Sequence, residues 1–359
     1  MQSKQGPERQ DAQTLVSRRR AAAPPLRRVL VSTAFATMRS TGAFSVLGRT
    51  AGRNRGLIIL CYHGVSLQDE HEWRPDLYIS EERLAARLRC LQEAKVTVLP
   101  FSEAITRLKA GTLPPKSATI TFDDGFHDFS MRAAPVLNQF GYPATVYLTT
   151  HYVKHQLPVP NLMLDYLLWK SKHNTLLLPE YGIDAPMNIN DLSSRQEAVQ
   201  KVSKYMDSRR LDSEGKNQIL SQIAGRLGLE YEEVLASRVL QLMSPSEVQT
   251  IARSGFAIEL HTHRHRMPED RAQFAQEIEE NRSQIRELSG KEPVHFCYPS
   301  GQYSDTFARW LVESGVQSAT TCERAMARRN SNPMFLPRVL DDSLQEESRF
   351  YGVVNGVVL

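Results

Sequence analysis

The sequence predicts an α/β protein built as a parallel (β/α) barrel, on three observations. Apolar strand-like runs alternate with amphipathic helical segments, and the connections between them are short. Two clusters rich in carboxylate and imidazole, Thr121-Phe122-Asp123-Asp124-Gly125 and His261-Thr262-His263-Arg264-His265, both fall at the ends of predicted strands. In a parallel barrel the C-terminal strand ends gather the chemistry, because the strands hold side chains rigidly and the loops beyond them shape a pocket. At 359 residues the chain is long enough for one large barrel with a substantial core.

Taken in order, Leu57 to Cys61 is a fully apolar strand that runs into Tyr62-His63-Gly64. Ser80 then caps a helix whose Glu81 and Glu82 suit the N-terminal dipole and whose Leu84, Leu88 and Leu91 share one face. Val96 to Leu99 predicts a strand, Glu103 to Leu108 a helix and Ala118 to Phe122 the strand that delivers the aspartates. A helix from Ala133 to Phe140, stopped by Gly141, leads to a strand over Ala144 to Leu148. The rhythm breaks near His151 and resumes at Ser244, where Pro245 and Glu247 open a helix that leads to Gly255 and the histidine strand, Phe256 to Leu260. A charged helix (Arg271 to Leu288), a strand (Val294 to Tyr298), a helix (Thr306 to Glu313), a strand (Gln317 to Thr321) and a last strand near Phe335 complete the pattern.

The interval of about residues 152–243 is too long for a barrel loop and helical in character, so it predicts an inserted subdomain or lid. Leu162, Leu164, Leu167, Leu168 and Trp169 form one apolar patch, and Ile219, Ile223, Leu227, Val234 and Leu235 another. Packing accounts for these residues better than a cofactor site does.

Charge is unevenly spread. Residues 1–56 hold eleven Lys and Arg against Glu8 and Asp11, which leaves residues 57–359 net acidic within a total of +4. A basic leader on an acidic body argues against a nucleic-acid-binding core and for a peripheral arm that touches an anionic membrane surface. Ser40 to Leu47 reads as a short amphipathic helix within it. No run has the length and apolarity of a transmembrane span or a signal-peptide core. Cys61, Cys90, Cys297 and Cys322 lack paired CxxC spacing, so they suggest neither a structural zinc site nor a disulfide framework, and a reducing, cytoplasmic compartment, peripheral to the inner membrane through the leader, is expected.

The two clusters supply carboxylate and imidazole for a divalent metal and leave one carboxylate for proton transfer. His261 and His263, two apart on one strand, also fit a second class of metal amidohydrolase. That class needs further histidines and an aspartate downstream, where only His265 and His295 follow closely.

The ordered set TFDDG, HTHRH and Phe296-Cys297-Tyr298-Pro299-Ser300-Gly301 resembles the polysaccharide deacetylases of carbohydrate esterase family four, the NodB-homology fold, over about Leu57 to Arg338. The resemblance implies a deformed (β/α) TIM-like barrel and hydrolysis of N-acetyl groups on an amino-sugar glycan in exopolysaccharide or cell-envelope biosynthesis. It implies Asp124, His261 and His265 as metal ligands, Asp123 as base, His263 as a bystander, the Ser300 backbone N–H as oxyanion donor, and Tyr298 with Pro299 at the sugar subsite. The family's third motif carries an arginine where this chain has Cys297. Arg338, in Leu336-Pro337-Arg338, is the candidate replacement. The family's late acid histidine is also missing, since no histidine follows His295. His63 is the candidate acid, as in the circularly permuted branch that acts on poly-N-acetylglucosamine.

Zinc is the expected metal, and mixed imidazole and carboxylate sites also accept cobalt, nickel or iron. Two other readings of the chain remain: a catalytically silent carbohydrate-binding or scaffold subunit of an exopolysaccharide assembly system, motivated by the displaced arginine, and another amide hydrolase on the same fold.

Overall fold

The computed structural model describes residues 55–357 together with Thr37, Met38, Thr41 and Arg53. The helix expected over Ser40 to Leu47 and most of the basic leader lie outside the described residues. No described helix is long and apolar enough to cross a membrane.

Seven parallel strands close into a barrel in the order β1 (Ile58–Tyr62), β12 (Leu336–Leu340), β11 (Ser318–Arg324), β10 (His295–Cys297), β9 (Ala257–Leu260), β6 (Thr145–Leu148) and β5 (Ser117–Phe122), with β5 returning to β1. The β1–β5 ladder is continuous from Ile58↔Ala118 to Tyr62↔Phe122 and closes the ring. The short β2 (Gly64–Val65) and β3 (Tyr78–Ile79) pair with each other outside the barrel, and the short β4 (Thr97–Val98) pairs with the first residues of β5, below the point where β6 takes over the same edge. β1 and β5 are buried along their whole length; β1 is accordingly an unbroken apolar run, while β5 alternates Ser117, Thr119 and Thr121 with apolar residues.

Helices cover the barrel. The helix Glu81–Glu93 begins at Ser80, whose side chain accepts the Arg83 N–H, and it buries Leu84, Leu88 and Leu91 as their spacing predicts. The helix Pro245–Arg253 carries a complete capping box between Ser244 and Glu247. A terminal helix, Glu347–Val354, was not anticipated; it buries Phe350, Val353 and Val354 against the main core.

The insertion differs from its sequence reading. Helices Pro160–Lys170, Leu192–Ser208 and Ser213–Arg226 do form, but between them lies an antiparallel hairpin of β7 (Thr175–Leu178) and β8 (Ile183–Asn188). The alternating burial of Thr175–Leu178 is the strand signal that the surrounding leucines obscured. The segment builds its own core around Leu167, Val202, Ile223 and Leu240, and Trp73 and Tyr78 from before the insertion join it.

The end of the insertion is stitched to the aspartate loop. His127 N–H donates to Gln241 O at 2.9 Å, Met243 N–H to Gly125 O at 3.0 Å, and Phe126 pairs with Leu242. The end of the segment is therefore tied to the loop that carries Asp124.

Candidate metal centre

Asp123 and Asp124 leave the end of β5 together, and the chain must turn at once to put both carboxylates on the barrel's mouth. Asp124 takes a left-handed φ of 68° and Gly125 one of 83°. A Cβ at position 125 would meet Leu148 Cδ1 at 2.2 Å, so glycine is demanded by space as well as by conformation. Beyond β9 the same device recurs, with Thr262 at φ 61° and His265 at φ 54°. Non-glycine residues in this region cost on the order of 1–3 kcal/mol each and persist where surrounding bonds over-determine them.

Those bonds come from the helix Arg271–Ser289. Glu277, fully buried, accepts from the Arg264 N–H at 2.8 Å, Arg264 Nη1 at 3.0 Å and Arg266 Nε at 2.7 Å. Asn281, also buried, accepts the His261 N–H at 2.9 Å and donates to Leu148 O and Thr150 Oγ1. Sequence reasoning missed both residues. Their signal was available: Glu277 and Asn281 occupy the face of this helix that also carries Phe274, Ile278 and Ile285, and a polar residue in a core-facing stripe needs a reason.

Asp124 Oδ1 lies 3.3 Å from Nε2 of both His261 and His265, and one donor atom from each of the three residues fits within 4.8 Å. His261 Nδ1 is 2.8 Å from the Cys297 carbonyl. That bond places the ring proton on Nδ1 and turns the Nε2 lone pair toward Asp124, the arrangement a metal ligand requires. Burial would raise the Asp124 carboxyl; the two imidazoles outweigh it and bring its pKa down to about 2, so the ligand is anionic. This donor set of two imidazoles and one carboxylate fits a divalent transition metal and leaves positions for water and substrate.

Asp123 is oriented differently. Its Oδ1 accepts from Arg338 Nη1 at 2.6 Å and its Oδ2 from Arg338 Nη2 at 2.7 Å. Both side chains are almost wholly buried. Burial pushes the Asp123 carboxyl up, but the guanidinium's charge and hydrogen bonds, helped by His63 and His261, hold it well below the usual carboxylate range. Arg338 is itself fixed by Nε donating to Thr321 O at 3.0 Å.

Two thiols complete the surroundings. Cys297 Sγ lies 3.4 Å and Cys61 Sγ 3.7 Å from Asp123 Oδ2, and Arg338 Nη2 is 3.1 Å from Cys297 Sγ. Position 297, where an arginine was expected, thus sits directly beneath the guanidinium that reaches in from β12.

His63, just past β1, places Nε2 at 3.8 Å from Asp123 Oδ2, and its buried Nδ1 has no protein partner among the described residues. His263 turns away from the triad: its Nδ1 is 2.8 Å from Thr150 Oγ1 and its Nε2 is 3.7 Å from Glu280. Ser300 stands on an exposed turn at φ 54° and joins none of the hydrogen bonds that tie the site together. Tyr298 and Pro299 were expected at the sugar subsite. Both are buried, and Tyr298 packs against Phe296, Tyr303 and Phe335 at ring separations of 5.2, 5.9 and 6.3 Å, because the chain after β10 turns inward. Tyr298 is a wall of the core, not an open sugar-binding surface.

A closed parallel barrel with paired carboxylates and imidazoles at the C-terminal ends of its strands defines a class, the NodB-type deacetylase scaffold. A family model described as polysaccharide deacetylase matches residues 110–319, and the chain belongs to that family. YxkH of Bacillus subtilis strain 168, whose name places it among the polysaccharide deacetylases, is 26% identical over 180 residues, half of this chain. The match spans 59% of YxkH's length. Two solved structures share the fold. The deacetylase PplD of Streptococcus pyogenes, in complex with acetate, has a TM-score of 0.54 at 14% identity, covering 81% of this chain and 95% of PplD. IcaB of Ammonifex degensii has a TM-score of 0.52 at 18% identity, covering 84% and 97%.

Proposed function

We propose that this protein hydrolyses N-acetyl groups on an amino-sugar polysaccharide or oligosaccharide of exopolysaccharide or envelope biosynthesis, with a divalent metal held by Asp124, His261 and His265. One observation carries the reading: the three convergent donor atoms lie beside an Arg338-clamped Asp123 with His63 at 3.8 Å from it. The metal, zinc by first expectation, supplies Lewis-acid activation of water and of the acetyl carbonyl.

The protein's own groups divide the proton work. Asp123, anionic at all ordinary pH, presents a carboxylate whose orientation Arg338 fixes, and it accepts the proton of the attacking water. The proton that Asp123 takes returns to His63, 3.8 Å away, after the amine has left, which restores both groups. His63 delivers a proton to that amine and is worth on the order of 10²–10⁴ in rate when positioned. The backbone N–H of Ser300, on the exposed turn after β10, is kept as the oxyanion donor.

Displacement of the motif arginine had motivated a silent binding subunit. Arg338 removes that motive, because the base keeps a two-pronged guanidinium partner from another strand. The basic leader, most of it outside the described residues, is proposed to add peripheral contact with an anionic inner-membrane surface on the cytoplasmic side.

The test is mass spectrometry of N-acetylated glucosamine oligomers incubated with the purified chain, with metal added and removed. Loss of mass in steps of one acetyl group, only with metal present, supports the reading. Unchanged oligomers and polymer across all metals overturn it.

A further inference from the structure

The ring of His63 is not held at its own nitrogens. Its buried Nδ1 has no protein partner among the described residues, and its Nε2 stands 3.8 Å from Asp123 Oδ2, beyond hydrogen-bond length. The placing of the imidazole therefore falls to the backbone on either side of it. Before it, Asp123 N–H donates to Tyr62 O at 2.9 Å and ties the end of β1 to the base. After it, Gly64 N–H donates to Leu77 O at 3.2 Å and Ser66 N–H to Ile79 O at 2.9 Å, the ladder of β2 on β3.

Successive amides of an extended chain point to opposite sides, so the Val65 N–H, between those two, is directed away from β3. Val65 is fully buried, and an amide hidden from water there needs an acceptor within the protein. Asp128 supplies it: Oδ1 accepts the Val65 N–H at 3.0 Å, from a residue only 3% exposed. Asp128 stands at the N-cap of the turn Phe129–Ala133 yet makes no cap bond with its side chain, which is committed to Val65 instead.

Asp128 follows Asp124 by four residues, so one short loop carries the base, a metal ligand and the clamp on the strand of the acid. The opposite face of that strand has no slack. A Cβ at Gly64 would meet Tyr78 Cε1 at 2.1 Å, so β2 is pressed onto β3 where only glycine fits. Further on, the buried Glu70 accepts from Leu67 N–H at 3.3 Å and Gln68 N–H at 2.8 Å and closes the far end of the segment.

We propose that Asp128 is a positioning residue for proton delivery: its clamp on the Val65 N–H fixes the direction in which His63 leaves β1, and with it the reach of the ring to Asp123 and to the departing amine. The catalytic part of this rests on His63 being the acid, as proposed above. Without the clamp the Val65 amide must turn to find another acceptor, and His63, two residues away, turns with it. Asp128 itself carries no proton in the reaction and binds no metal.

The test compares the parent, Asp128→Ala, Asp128→Asn, His63→Ala and the Asp128→Ala/His63→Ala double variant as zinc-loaded full chains. Turnover on N-acetylglucosamine oligomers, bound zinc and amide hydrogen exchange over residues 62–66 are measured for each. Asp128→Ala should keep its zinc and KM, lose on the order of 10–100-fold in kcat and exchange faster over 62–66, because a misplaced group forfeits much of its effect. Asp128→Asn keeps an acceptor and should recover most of both. The double variant should be no slower than His63→Ala alone, since a clamp has nothing to position once the ring is gone. Asp128→Leu fills the space without an acceptor and takes the place of Asp128→Ala should that variant unfold. Unchanged exchange over 62–66 without the acceptor, losses that multiply in the double variant, or an Asp128→Asn no better than Asp128→Ala overturns the proposal. A parent that releases no acetate overturns the proposed function instead, and the exchange over 62–66 still decides the clamp.

Discussion

Arg338 of β12 grips Asp123 at the end of β5 with two hydrogen bonds of 2.6 and 2.7 Å, across the intervening β1. The pair spans 215 residues of sequence and is nearly inaccessible to water. Arg338→Ala would strand a buried carboxylate, at a cost of about 3–5 kcal/mol. The sign of the pH effect follows from the Asp123 carboxyl being held below its ordinary 3.8. The pairing contributes stability that is full above that value and is lost as pH falls through the depressed one. Removing Arg338 should therefore lower stability at neutral pH and move the acid limb of the activity profile upward. Arg338→Lys should recover stability in part and activity less, since an ammonium lacks the fork. Chemical denaturation and a pH–rate profile check this; an unmoved acid limb in Arg338→Ala would remove the arginine from any role in holding the base.

Asp124→Ala, His261→Ala and His265→Ala are each expected to release the catalytic ion and abolish deacetylation, because a three-ligand site does not tolerate the loss of one ligand. Inductively coupled plasma analysis beside acetyl-release assays reads both effects. Full metal content in His265→Ala would sink the ligand assignment.

The legible part of this site was the part that combined rare residue types with strand ends. Asp123, Asp124, His261 and His265 are contiguous in two short motifs, and the apolar runs before them, Ala118 to Phe122 and Phe256 to Leu260, formed strands as their composition requires. Arg338 could be nominated but not placed, since its partner lies 215 residues away and only barrel closure brings them together. Glu277 and Asn281 escaped because a charged helix hides two more polar residues well. The burial of Tyr298 was not legible for the opposite reason: an aromatic beside a motif suggests a sugar platform, and nothing local to the sequence shows that the fold buries it. The hairpin of β7 and β8 was lost among leucines that suit helix and strand alike.

Burial raises the Glu259 carboxyl from 4.5 to about 7, against two backbone N–H donors that lower it. A folded-state value above the unfolded one means stability that is complete below the unfolded value and declines as pH rises through the folded value. Glu259→Gln keeps an acceptor for Val294 and His295 without the charge. It should stabilise the protein by up to about 3 kcal/mol well above pH 7 and by little near pH 4.5. Equal effects at both ends of that range would show that Glu259 is ionised in the fold without penalty.

The basic leader should make the full chain sediment with anionic vesicles at low salt and release it as salt rises, each basic residue near the surface contributing about 1 kcal/mol before screening. A chain lacking residues 1–50 should stay in the supernatant. Equal sedimentation of both forms would remove the leader as a membrane contact.

His63 gives the sharpest test, because its place beside Asp123 has two readings with opposite consequences. As a structural histidine it would only polarise Asp123 from 3.8 Å, and His63→Ala would cost little turnover. As the acid it must give a proton to a departing amine, a strong base that cannot leave unprotonated. Its buried Nδ1, without a protein partner among the described residues, agrees with a ring not committed to holding the fold. His63→Ala should then keep its catalytic ion while turnover falls by roughly two to four orders of magnitude. The loss should shrink for amides whose leaving amine is less basic and shrink further for an acetyl ester, whose alkoxide can leave without prior protonation. In the parent, the high-pH limb of the rate profile reports the acid that must stay protonated, and that limb should vanish in the variant. His151 offers no local substitute, since its ring is bonded to Ser213 and stacked on His155 and His263. Near-parental turnover with an unchanged high-pH limb would therefore assign His63 to structure and leave solvent as the proton source.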